Sequence, residues 1–154
     1  MSLRIKFIQF LLDINEKIFF YPRLKRYYKN EIGRKDPVIL GVYAIKGQTI
    51  SFFLDLFPNA KIIAFEPNYK LYKKLIQKFR HLSNVQLINK GISNKKGKLV
   101  LKETATDETF TFEELNYQSG YLKMKSRLLG VKPENLVVDS YEVDVIRLFD
   151  FIEE

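Results

Sequence analysis

The chain has 154 residues, enough for one domain with a packed interior and too few for two ordinary ones. Its composition, 46% hydrophobic and 14% aromatic, excludes a disordered chain, and the absence of Cys excludes a disulfide framework, a zinc-thiolate site and a cysteine nucleophile. A net charge of +8 favours acidic partners, and a single His, His81 at an expected helix end, excludes a His-rich metal centre and disfavours a Ser-His-Asp hydrolase.

No apolar run reaches the roughly 18 residues of a membrane span, and the N-terminus lacks the small-residue cleavage site of a secretory signal, so a cytoplasmic location is the default expectation. From Leu3 to Phe20, apolar residues at Leu3, Phe7, Leu11, Ile14 and Ile18 recur at helical spacing and predict an amphipathic helix. It packs on the domain or, helped by Arg23, Lys25, Arg26 and Lys29, lies on a membrane surface. The stretch "YPRLKRYYKNEIGRKDP" mixes charge, Gly and Pro and reads as a basic connector, so residues 1–36 form an N-terminal segment and residues 37–154 the domain proper.

"VILGVYA", from Val38, is apolar on both faces, the mark of a central parallel strand. "GQTISFFLDLFPNA" follows as a helix with Ile50, Phe53, Leu54 and Phe57 on one stripe, ending before Pro58. "KIIAFEP" is a second strand, "NYKLYKKLIQKFRHL" a second helix with Leu71, Leu75 and Phe79 inward, and "NVQLINKGIS" a third strand. This βαβαβ rhythm predicts a doubly wound parallel sheet. Beyond it, "NKKGKLVLKET" reads as a turn and a strand, "TFEELN" and "GYLKMKSRLLG" as short helical pieces, and "YEVDVIRL" as a further strand. The basic run "KLYKKLIQKFR" carries no nucleic-acid motif and reads as the solvated face of a crossover helix.

In such a sheet a ligand lies beyond the carboxyl ends of the strands, where "GVYAIKGQT" and Glu66 converge. Gly47 lets backbone N–H groups and a helix N-terminus approach an anionic group. Glu66, 19 residues beyond Gly47, is placed to accept hydrogen bonds from the two hydroxyls of a ribose. That pairing is compatible with NAD, FAD or S-adenosylmethionine; the dinucleotide pattern G-x-G-x-x-G is absent, which weakens an oxidoreductase. A purely structural role for Glu66, as an acid at the start of the next helix, stays open beside it.

The stretches "VILGVYAIKGQTISFFLDLFPNAKIIAFEPN", "NVQLINKGISNKKGKLVL" and "VDVIRLFDFIEE" resemble the FkbM family of S-adenosylmethionine-dependent methyltransferases, from about Pro37 onward. The resemblance implies an α/β, Rossmann-like methyltransferase fold with a partial parallel sheet (βαβαβ), an N-terminal amphipathic helix and a C-terminal β/helical extension. It implies S-adenosylmethionine as cofactor, contacted by Gly41, Tyr43, Gly47, Gln48 and Glu66, and methyl transfer to a hydroxyl on a small molecule or glycan. No catalytic residue is assigned. The family's first motif usually reads D-V-G-A-N-x-G; here Gly41 replaces the acid, Tyr43 the first glycine and Ile45 the asparagine, while Val42, Ala44 and Gly47 are kept. A phenol at Tyr43 would project where the methionine part of the cofactor should lie.

In the family a further core strand follows the segment resembling "VIRLFDFIEE", whereas this chain stops at Glu154, with Phe149 where Asp is commoner. The first strand is therefore expected to present an open apolar edge that pairs with a second copy or is covered by "VDVIRL" folding back. The alternative to an enzyme is a non-catalytic interaction module that uses the basic surface and N-terminal helix on a membrane or acidic partner.

Overall fold

A computed structural model of the chain describes residues 16–104, 110–112 and 119–153. Most of the expected Leu3–Phe20 helix and most of "TFEELN" lie outside the described residues; Glu16–Phe20 forms a single π-helical turn.

That turn leads into α1 (Tyr21–Ile32), so the segment expected to be a connector is a helix. Its charge hid the pattern: Tyr21, Leu24, Lys25, Tyr28 and Ile32 fall on one helical stripe. Pro22 sits in the first turn, where its missing N–H costs nothing, and Gly33 at φ 60° ends the helix. The stripe docks on α2 (Gln48–Leu56), with the Tyr28 ring 5.0 Å from Phe53, the Tyr21 ring 5.9 Å from Phe52, and a Lys25–Asp55 ion pair.

The βαβαβ unit is present. Strands β1 (Val38–Val42), β2 (Lys61–Phe65) and β3 (Val85–Ile88) are parallel, in the order β1-β2-β3, with α2 and α3 (Tyr69–Phe79) as the crossovers. Ile39, Ile62, Ala64, Val85 and Leu87 point to one face and pack on Ile50, Leu56, Leu75 and Phe79 of the helices. Leu71, Leu75 and Phe79 are the buried residues of α3, as its spacing predicts. The buried central strand is β2 rather than β1, whose only partner among the described residues is β2; Val38 is 64% and Val42 46% exposed.

"NVQLINKGIS" does not form one strand. It breaks at Asn89 and Lys90 into β3 and β4 (Gly91–Ser93), which belong to different sheets. The second sheet has the order β4-β7-β5-β6, from β5 (Gly97–Thr104), β6 (Phe110–Thr111) and β7 (Val137–Arg147). β5 and β7 run antiparallel with Leu101 opposite Tyr141, and β4 runs parallel to β7. "VDVIRL" is thus consumed by β4 and β5 and does not fold back on β1. Helix α4 (Gly120–Leu129) fits the expected helical piece, capped by the Ser119 hydroxyl, which accepts from Leu122 N–H at 3.2 Å. Helix α5 (Leu148–Glu153) sets Phe151 against Phe65 at 5.1 Å on the other face of the parallel sheet.

Candidate functional site

The loop after β1 and the end of β2 meet at the carboxyl edge of the parallel sheet, and Glu66 ties them together. Its side chain is fully buried, with Oε2 accepting from the Ile45 N–H and Oε1 from the Asn68 N–H, each at 2.8 Å. Asn68 is buried as well; its Oδ1 caps α3 by accepting from Leu71 N–H at 3.0 Å. Asn89 Nδ2 donates to the carbonyls of Glu66 and Pro67 at 2.7 and 3.2 Å, fixing the same turn from the β3 side. Burial pushes the Glu66 carboxyl above its ordinary range, and the two amide hydrogen bonds pull part of the way back.

The loop keeps an unusual backbone. Tyr43 at φ 62° and Ile45 at φ 48° are the two non-glycine residues with left-handed backbones among the described residues. An L-residue there sits about 1–2 kcal/mol above its ordinary wells, and a β-branched one is a clear outlier. Gly and Asn are the residue types that adopt this conformation at least cost, and neither stands at these two positions.

What replaces the lost preference is burial. Tyr43 and Ile45 pack with Phe112, Tyr141 and Val143 against buried Leu71 and Leu101, joining the loop to the second sheet. Half-burying an apolar side chain contributes on the order of 1 kcal/mol, comparable with the backbone cost. Burial, followed by the Glu66 charge, pushes the Tyr43 hydroxyl up. Burial also pushes Tyr141 up to about 12, with Glu103, Asp139 and Glu66 adding to it. The Tyr141 hydroxyl is enclosed without a hydrogen-bond partner among the described residues.

Gly41 lies beside Ala64 on the edge strand, and an added Cβ would meet Ala64 Cβ at an ordinary 3.5 Å. Gly47 is required by packing: its φ is +75°, and a Cβ there would stand 2.5 Å from Phe79 and 2.9 Å from Leu75. A ligand is not needed to explain it. Gln48 begins α2 and is exposed, and Lys78 Nζ donates to the Lys46 carbonyl at 3.1 Å, holding the loop to α3.

The structure thus gathers Gly41, Tyr43, Gly47, Gln48 and Glu66 around one loop. It adds Asn68, Asn89 and Tyr141, which the sequence reading passed over, and gives Ile45 a part through its N–H. A cavity of about 140 Å³, small beside the roughly 300–1,000 Å³ of small-molecule sites, lies between β1, β2 and α2, bordered by Ile39–Ala44, Thr49, Ile50, Phe53, Ile62 and Ala64, and Glu66 does not line it. With Glu66 enclosed and both of its oxygens engaged, the residues as arranged do not fit S-adenosylmethionine. Among the described residues no group of three or more His, Asp or Glu could hold a metal ion.

No protein-family model matches the chain, and no curated protein matches it. Among solved structures, the fibrillarin/Nop5p complex is similar at 16% identity and a TM-score of 0.35, over 75% of this chain and 74% of that one. A likeness at that level carries nothing about activity or partners. The chain has a mixed α/β, Rossmann-like fold in which a three-stranded parallel sheet presents Glu66 and a left-handed loop at its carboxyl edge.

Proposed function

We propose that the chain is a methyltransferase of the FkbM type, specified for S-adenosylmethionine and a hydroxyl acceptor on a small molecule or glycan, whose cofactor loop is held shut through Glu66. One observation carries the reading. The backbone at Tyr43 and Ile45 is left-handed where the family motif has Gly and Asn, a conformation that neither Tyr nor Ile would select by itself. A loop evolved around a close-approaching ligand explains that geometry; a loop evolved only for packing does not require it.

In this reading Gly41, Tyr43, Gly47, Gln48 and Glu66 border the cofactor position, and opening the site means releasing the Ile45 N–H from Glu66. A hydrogen bond to a charged group is worth about 1.5–3 kcal/mol, so closure weakens cofactor binding about tenfold or more. The edge of β1 that is unpaired among the described residues is where a second copy would pair.

A second reading has its own support, since the filled loop and small cavity suit a non-catalytic module as well as a closed enzyme. Calorimetric titration with S-adenosylhomocysteine separates the two. Weak saturable binding is expected of the methyltransferase; no saturable heat at millimolar ligand overturns it in favour of the module.

A further inference from the structure

We propose that the outward face of α1, with the aromatic turn before it, is a peripheral membrane-binding surface selective for anionic lipid. The inference is independent of the cofactor reading. Helix α1 has no fully buried residue, and its inward stripe is already committed: Tyr28 and Ile32 to the core, Lys25 to Asp55. The opposite face carries Arg23, Arg26 and Tyr27, all exposed, with Lys29 on its flank toward Asp55. At the N-terminal end of the helix, Ile18, Phe19 and Phe20 are 58%, 56% and 53% exposed, and Tyr27 is 58% exposed.

Single exposed apolar residues need no explanation, but three consecutive ones beside a cationic helix face do. Between Tyr21 and Lys35 there are six basic residues and one acid, Glu31. Apolar side chains that enter the acyl boundary, beside cations at headgroup level, are what an interfacial helix requires. Charge complementarity selects the anionic bilayer over a neutral one. A nucleic acid would satisfy the cations and stack on the Phe rings, yet would leave the aliphatic Ile18 without a role. No helix among the described residues is long and apolar enough to cross the membrane, so the contact is a surface one.

The test is co-sedimentation of the full chain with vesicles of phosphatidylcholine alone or with about 30% phosphatidylserine, a lipid composition that sets the anionic surface potential. Each basic residue brought near such a surface strengthens binding about fivefold, so Arg23→Glu with Arg26→Glu should weaken it at least about 25-fold. Ile18→Ser with Phe19→Ser should also weaken it at least tenfold, and raised salt should release the wild type. Both pairs are exposed, and retained thermal unfolding certifies the fold. The proposal is overturned by any of three results: no binding to the anionic vesicles, equal binding to neutral ones, or binding that neither pair of substitutions changes. Loss of single-stranded oligonucleotide binding in the same variants, with no vesicle binding in the wild type, assigns the surface to nucleic acid instead.

Discussion

Replacing Gly47 by Ala puts the packing of the loop to a quantitative test. The new Cβ would stand 2.5 Å and 2.9 Å from Phe79 Cε2 and Cζ, and 2.9 Å from Leu75 Cδ2. Phe79 and Leu75 are 5% and 1% exposed members of the main core cluster, with little room to withdraw. The backbone at φ +75° adds about 1–2 kcal/mol for any L-residue, and overpacking adds about 1–3 kcal/mol. The expected loss is therefore about 2–5 kcal/mol, a drop of roughly 5–15 °C in Tm for a domain of this size. Urea unfolding should show a lower midpoint with an unchanged slope. Gly41→Ala is the control: its Cβ meets Ala64 at an ordinary 3.5 Å, and stability should change by less than about 1 kcal/mol. Equal effects at the two positions, or a loss at Gly47 below about 0.5 kcal/mol, would refute the packing described.

Tyr141→Phe removes an enclosed hydroxyl with no partner among the described residues, and thermal unfolding should show a gain of about 0.5–2 kcal/mol; a loss of that size would mean that the hydroxyl is satisfied. Glu66 has a folded-state pKa raised by burial, so its contribution to stability is fully present below the unfolded carboxyl range and is lost as pH rises through the folded value. Subtracting the pH profile of Glu66→Gln from that of wild type should give a difference that falls over this window; a rising difference would mean that the amide hydrogen bonds outweigh desolvation. Glu66→Gln should also lower stability by about 1–3 kcal/mol at neutral pH, because the Gln amide turns a donor toward one of two backbone N–H groups. The open edge of β1 should self-associate: antiparallel pairing about Leu40 sets Val38 of one copy against Val42 of the other. Sedimentation velocity should show concentration-dependent dimers that Val42→Lys abolishes, and a strictly monomeric wild type would contradict the pairing.

The parallel unit was legible because its signals are local. β2 reads "KIIAF" and is buried from Ile62 onward, and α3 spaces Leu71, Leu75 and Phe79 along one face. Helix α1 was hidden because its docking stripe includes Lys25, a cation paired at the surface with an acid 30 residues away. Of the second sheet, β5 in "NKKGKLVLKET" and most of β7 in "YEVDVIRL" were legible as strands, but their assembly into a separate sheet was not, because the pairing of β7 with β5 and β4 spans long sequence separations. Glu66 was legible as the acid that follows β2, but its burial depends on two backbone N–H groups that no residue type reveals. Tyr43 and Ile45 go against local preference, and only their packing on Leu71 and Leu101 makes the loop tolerable.

The most direct measurement of the central claim is the affinity for S-adenosylhomocysteine of the natural chain beside that of the triple variant Gly41→Asp, Tyr43→Gly, Ile45→Asn. The substitutions suit the backbone, since Gly41 has room for a Cβ and positions 43 and 45 are already left-handed. If the loop of a methyltransferase is closed by Tyr43 and Ile45 over Glu66, the triple variant binds at least tenfold tighter than the natural chain. If it binds no tighter, those side chains are not what keeps the cofactor out, and the account of the loop is wrong.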